Sequence, residues 1–209
     1  MEPSNLLLRV RTKFYILFNR YKLKKHGATI GRNLMVYDGI YLKGEGRITI
    51  GDNFKFTSGD GINAISRNIK GSLYTDGKNA SIEIGDDVGI SSSCLWARDS
   101  IKIGNHVKIG ACCVIIDSDA HPHDYIKRRN DYPTQVGLEV YNESIPKSPI
   151  VIEEDVWIGA QCQILKGVHI GARSIIAAGS VVTKDIPSDC IAGGNPCKVI
   201  KPLMSGQLV

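Results

Sequence analysis

Between residues 150 and 184 the chain reads IVIEEDVWIGAQCQILKGVHIGARSIIAAGSVVTK, and an aliphatic side chain returns at every sixth position: Ile152, Ile158, Ile164, Ile170, Ile176 and Val182. The same step links Ile103, Ile109 and Ile115, then Ile84 and Ile90, and again Ile30, Val36, Leu42 and Ile48. A helix repeats at 3.6 residues and a half-buried strand at two, so neither accounts for six. Short strands joined by tight turns do. One aliphatic side chain per side points inward and stacks on the coil below, and glycine or another small residue eases the corner. Three sides make roughly 18 residues per coil, the hexapeptide β-helix pattern. The predicted fold class is therefore all-β, a parallel β-helix.

The register breaks twice, over 57–82 and over 117–149. The second break is polar and carries Pro133 and Pro146, and it is too long for a β-helix corner. It is expected to leave the coil as an excursion loop, and long loops in compact domains tend to carry function. Ahead of the repeats, Leu7, Val10, Phe14, Leu17, Phe18 and Tyr21 recur at three- and four-residue steps, which predicts an amphipathic helix over about 5–25. Ser4 or Asn5 is a candidate cap and Gly27 a candidate stop, while Ile16 and Leu23 fall off the stripe. The expected organisation is a helix over 1–27, the β-helix over 28–201 and a tail over 202–209.

Charge sharpens the reading of that helix. Residues 1–25 hold Arg9, Arg11, Lys13, Arg20, Lys22, Lys24 and Lys25 against Glu2 alone, whereas the whole chain carries only +5. The remainder is about neutral, which argues against a nucleic-acid-binding body. A basic amphipathic helix either packs on a protein surface or lies on an anionic membrane. The six cysteines (Cys94, Cys112, Cys113, Cys162, Cys190 and Cys197) form no CxxC pair, and several sit in apolar runs. They read as reduced, buried thiols of a cytoplasmic protein. Charges interrupt the apolar N-terminal segment, so neither a clean signal peptide nor a membrane span is expected.

Candidate chemistry concentrates where the coil gives way to the second break. Residues 114–124 read VIIDSDAHPHD and place Asp117, Asp119, His121, His123 and Asp124 within eight positions. Three readings suit these residue types: a mixed nitrogen and oxygen metal site, a general-base site built on an imidazole, or a solvated turn. The other histidines, His26, His106 and His169, sit in unrelated coils.

Residues 84–201 resemble the hexapeptide-repeat acyltransferases of the left-handed β-helix type. They are most similar to the galactoside, maltose and nodulation-factor O-acetyltransferases and to the sugar acetyltransferases of capsule and O-antigen synthesis. The resemblance is carried by the SPI entry, the WIG, the GVHIG, AGSVVTKDIP and GNPCKVI. It implies an O-acetyltransferase moving acetyl from acetyl-CoA to a hydroxyl of a saccharide, such as a cell-surface polysaccharide or its precursor. It also implies a homotrimer with sites at subunit boundaries. DSDAHP matches the family's catalytic segment, which makes His121 the general base, with Asp119 first and Asp117 second as the carboxylate that orients its ring. Trp157 matches a position beside the thiol end of the cofactor. Ala160 and Ala178 match small positions along the pantetheine arm, and Thr183, Lys184 and Lys198 match positions near the nucleotide end. Lys201 and Arg173 are the alternatives for the phosphate. No metal is expected. The competing functions are a metal-dependent, carbonic-anhydrase-like β-helix and an acetyltransferase whose acceptor is an amino sugar or serine.

Overall fold

The computed structural model describes residues 3–59, 64–66, 69–129 and 131–203; the side chains of residues 3–8 lie outside that description, as do residues 204–209 of the expected tail. The chain winds as a prism with three faces. The first face stacks Thr29–Ile30, Arg47–Ile50, Ser81–Ile84, Ser100–Ile103, Ile150–Ile152 and His169–Ile170. The second stacks Met35–Tyr37, Lys55–Thr57, Gly89–Ser91, Lys108–Ile109, Trp157–Ile158, Ile175–Ile176 and Cys190–Gly193. Lys198–Pro202 folds back antiparallel on the last of these. The third face stacks Tyr41–Gly44, Ser72–Thr75, Cys94–Ala97, Val114–Ile116, Gln163–Leu165 and Val181–Val182. Each coil visits the three faces in turn, and neighbouring coils pair in parallel.

The period-six residues are the inner columns of this prism. Ile103, Ile152 and Ile170 stack on the first face, Ile109, Ile158 and Ile176 on the second, and Ile115, Ile164 and Val182 on the third. All nine are buried, and burying one such side chain is worth about 1.5–3 kcal/mol. One expected step is corrected. Ile30 pairs with Ile50, whereas Ile48 pairs with Ile82 in a second inward column. The turn through Gly44, Glu45 and Gly46 is longer than a standard corner, so the step from Leu42 to its successor is eight residues. The break expected over 57–82 is also narrower than its sequence suggests, because Leu73 stacks on Leu42 and is buried.

The edge between the first and second faces shows why the repeat holds. Each corner places one residue in the left-handed region: Asn33, Asn53, Asp87, His106, Asp155, Arg173 and Asp189, with φ between 53° and 61°. Asn and Asp tolerate that region better than most residues. The corner glycine serves a different purpose from the one the sequence suggested. Gly31, Gly104 and Gly171 precede the left-handed residue by two positions, and a Cβ on them would lie 2.4–2.6 Å from an atom of the next coil. They permit close approach between coils.

The N-terminal helix, α1 (Pro3–Lys25), caps the open end of the prism. Ser4 and Asn5 lie inside its first turn rather than at its cap. It ends as expected at Gly27, where Ala28 N donates to Leu23 O (3.0 Å) and Gly27 N to Lys24 O (2.9 Å), the Schellman pattern with glycine at φ 82°. Its packing face is not the apolar stripe. Leu23 and Asn19 are fully buried, and Asn19 Nδ2 donates to Asp38 O at 2.6 Å. Arg11 pairs with Asp38 at 2.9 Å, and Lys22 Nζ donates to Ile40 O at 2.6 Å. Val10, Phe14, Leu17, Phe18 and Tyr21 face outward. No described helix is long and apolar enough to cross a membrane.

Of the six cysteines, Cys113, Cys162, Cys190 and Cys197 are buried and Cys94 and Cys112 half-buried, and none is in a disulfide.

Candidate active site

The excursion leaves the edge between the third and first faces after Val114–Ile116 and returns at Ile150. Asp119 N donates to Pro146 O (3.0 Å) and Ser148 N to Asp117 O (2.9 Å), so the outgoing and returning chains are laced together at their root. Two short helices form inside it, α2 (Tyr132–Val136) and α3 (Leu138–Glu143), separated by Gly137 at φ 86°. The repeat pattern gave no sign of them. Arg128 fixes the near end of the loop through the carbonyls of Pro122 (3.2 Å) and His123 (2.7 Å).

His121 is exposed, and its Nδ1 lies 3.0 Å from the Tyr141 hydroxyl of α3. Asp119 does not hold this ring. Its Oδ2 meets His123 Nε2 at 2.5 Å and its Oδ1 accepts from Lys166 Nζ at 2.7 Å. Partial burial works to raise the Asp119 pKa, but Lys166 and His123 outweigh it and the carboxyl stays below its ordinary range. Asp117, the second candidate, is fully buried. Its carboxylate accepts from the backbone N–H groups of Arg98 (2.7 Å) and Asp99 (2.8 Å), the corner of the preceding coil. Burial raises its pKa against those two donors. Asp117 is thus a corner tie, Asp119 ties the loop to the next coil, and the group in hydrogen-bond contact with the His121 ring is the Tyr141 hydroxyl. The rings of His121 and His123 are held by different groups, and among the described residues no three His, Cys, Asp or Glu side chains gather as metal ligands.

Beyond Tyr141 and Lys166, the sequence reading missed Arg98 and Asp76. Arg98 forms a tight ion pair with Asp76, and both line a cleft whose far wall is α3, through Leu138, Glu139 and Asn142. Trp96 lies beside this pair, stacked on Tyr74 with ring centres 5.2 Å apart. A signal for Arg98 was present: Arg98 and Asp99 interrupt two apolar strands at the corner where the next coil carries Ser118 and Asp119.

The residues expected to serve a cofactor divide between two edges. Ala160 and Ala178 stand on consecutive coils at the edge between the second and third faces, where a Cβ on Gly159 would come 2.5 Å from Ala178 N. Trp157 points outward from the second face, 56% exposed, in the column of Lys108 and Ile175. Lys198 lies opposite Gly193, at the same end of that face. Thr183 and Lys184 instead follow Val181–Val182 at the third-to-first edge, the edge that carries His121. Arg173 is engaged by Asp189 at 2.6 and 2.7 Å. One chain therefore does not bring His121 against Trp157, Ala160 and Ala178.

Three stacked parallel sheets with a period of six define a hexapeptide β-helix. Residues 149–184 match the family model described as bacterial transferase hexapeptide (six repeats). A galactoside O-acetyltransferase of Escherichia coli is 32% identical over 181 residues, which is 87% of this chain and 66% of that protein. Its counterpart in Lactococcus lactis is 43% identical over 99 residues, 47% of this chain and 42% of that one. The matches thus span 66% or less of the length of these curated relatives. Among solved structures, a hexapeptide-repeat acetyltransferase of Vibrio cholerae complexed with acetyl coenzyme A aligns with a TM-score of 0.53 and 25% identity, covering 98% of this chain and 91% of the other. A galactoside acetyltransferase in complex with coenzyme A gives 0.52 and 25%, covering 98% and 84%. By repeat and fold, the chain is a hexapeptide-repeat protein with the left-handed prism of these acetyltransferases.

Proposed function

We propose that the protein is an O-acetyltransferase that moves acetyl from acetyl-CoA to a hydroxyl of a saccharide, of the kind built into cell-surface polysaccharides. The observation that carries this reading is the placement of an exposed imidazole, held at one nitrogen by Tyr141, on a prism whose fold resembles that of the coenzyme A-bound acetyltransferases. With Nδ1–H donating to Tyr141, His121 Nε2 is the acceptor. It takes the acceptor hydroxyl's proton as that oxygen bonds to the thioester carbonyl carbon. Collapse of the tetrahedral intermediate breaks the carbon–sulfur bond, and the proton passes from Nε2 to the departing thiolate. Asp119 positions the loop through His123 and Lys166 rather than orienting His121.

The split of the remaining residues supports a homotrimer. Trp157, Ala160, Ala178 and Lys198 lie along one side of a rigid prism and His121 on another edge, so a second copy is needed to close a site around the cofactor. In this reading Ala160 and Ala178 flank the pantetheine arm, Trp157 lies beside the thiol, and Thr183, Lys184 and Lys198 meet the phosphorylated end. The protein works in the cytoplasm, and residues 5–25 bring it to a membrane surface. The test is thiol release from acetyl-CoA across a sugar panel, with and without a chelator. Release that depends on a saccharide acceptor and on His121, and is indifferent to the chelator, is expected. Activity abolished by the chelator and equally by loss of His121 or His123 would overturn the proposal in favour of a metal site.

A further inference from the structure

We propose that α1 lies in the plane of an anionic lipid surface, with Val10, Phe14, Leu17, Phe18 and Tyr21 entering the headgroup boundary. This deepens the membrane contact proposed above and is independent of the acetyl-transfer chemistry. The first observation is that the helix is mounted with its apolar stripe outward. Leu23 and Asn19 are fully buried against the first coil, yet Val10 is 57%, Phe14 59%, Leu17 68%, Phe18 44% and Tyr21 63% exposed. At 3.6 residues per turn these five occupy an arc of about 100°. Packing on the chain's own body, the usual reason for such a stripe, is already achieved by another face.

Charge decides what covers it. Arg9, Lys13, Arg20 and Lys24 fall on the arc next to the stripe, Arg20 half-buried and the others exposed. The segment Pro3–Lys25 contains no acidic residue. Two copies of this helix laid stripe to stripe would oppose basic flank to basic flank, whereas an anionic surface complements both parts at once. Beside Phe18, a cleft lined by Tyr15, Lys22, Asp38, Ile40, Tyr41 and Lys70 adds two further basic side chains next to the stripe, against one carboxylate that Arg11 already pairs.

The experiment is vesicle co-sedimentation of the full-length protein, comparing phosphatidylcholine vesicles with vesicles containing a substantial phosphatidylglycerol fraction. The wild type is expected to partition at least about tenfold more strongly to the anionic vesicles, with the difference falling steeply as salt is raised. A Phe14→Ser, Leu17→Ser double variant is expected to lose most of that binding. Its melting temperature should not fall, because both side chains are exposed, and its thiol release from acetyl-CoA in solution should not change. His121→Ala should bind vesicles like the wild type, so a failure of the enzymatic reading and a failure of this one are separable. Equal binding of the double variant and the wild type would overturn the proposal. So would absence of wild-type binding to anionic vesicles, above all if light scattering shows that the double variant has lost a subunit contact.

Discussion

Two kinds of joint connect the strands of this prism, one repeated and one unique. The joint between the first and second faces recurs in seven coils, each with its left-handed residue and its backbone bonds to the coils on either side, such as Gly104 N to Ile152 O at 2.7 Å and Asp155 N to Asn105 O at 3.0 Å. The excursion over 117–149 occurs once. Besides the two backbone bonds at its root, it is held by individual side-chain ties: Asp117 to the corner at Arg98, Asp119 to Lys166, and Tyr141 to His121. A repeated joint shares its load among equivalent neighbours, as in other solenoids. A unique one has no equivalent neighbour to share its load, so single changes should register there first.

The comparison breaks most sharply at His121. His121→Ala is expected to lower kcat by roughly 10²–10⁴-fold, about 3–5 kcal/mol of barrier, while acetyl-CoA binding measured by calorimetry stays intact. His123→Ala should do far less, since its ring contacts Asp119 and not Tyr141. If the His121 variant retains wild-type kcat on every acceptor that the protein turns over, the excursion is not the seat of the chemistry.

A core column gives the counterpart. Ile164 is fully buried and stacks between Ile115 and Val182. Ile164→Ala is expected to cost about 2–5 kcal/mol of stability, read as a lowered denaturant midpoint, with kcat per folded molecule preserved. A kcat loss matching that of His121→Ala would mean that the coils transmit strain into the loop, and the contrast between the two joints would fail.

How far the sequence reveals the molecule follows the same division. The columns of Ile152, Ile158, Ile164 and Ile170 were legible because each coil reports the same inward position again, so the pattern is oversampled. The end of α1 at Gly27 was legible for a local reason, the left-handed φ that its cap requires. The mounting of α1 was not. Asn19 faces inward because Asp38 O and Ile40 N need partners at the open end of the prism, and no helical periodicity encodes that need. Nor was the role of Asp119. Its spacing to His121 allows a bond, but Lys166, 47 residues later, competes for the carboxylate through a contact that only the coil register creates. Tyr141 was invisible because α3 belongs to no repeat.

Asp119 is the next test, with a smaller effect. Its carboxyl is held below its ordinary range, so the stabilisation is present above the unfolded pKa, about 3.9, and is lost as pH falls through the folded value. Between neutrality and that point the loop should stay anchored. Below it, amide hydrogen exchange over 117–124 should accelerate while the columns stay protected. Asp119→Asn should mimic the acid state at neutral pH and lower kcat by roughly tenfold, the cost of a looser histidine segment. The effect should be non-additive with Lys166→Ala, because both remove one tie. Full additivity would show that Asp119 acts elsewhere.

The smallest effect is expected at a repeated corner. Arg173 has φ 61°, an unfavourable value for a long side chain, and pairs with Asp189 of the next coil at 2.6 Å. The pair looks strong, and it raises the Arg173 pKa and lowers that of Asp189. Yet Arg173 and Asp189 are both about half exposed, and solvent screens such a pair so that it adds little to stability. Arg173→Asn removes the pair but installs a residue better suited to the left-handed region. The two terms oppose each other, so the melting temperature should move by no more than a degree or two, and kcat should not move. A large destabilisation would mean that the corners are not redundant and that each coil depends on its own tie, as the excursion does.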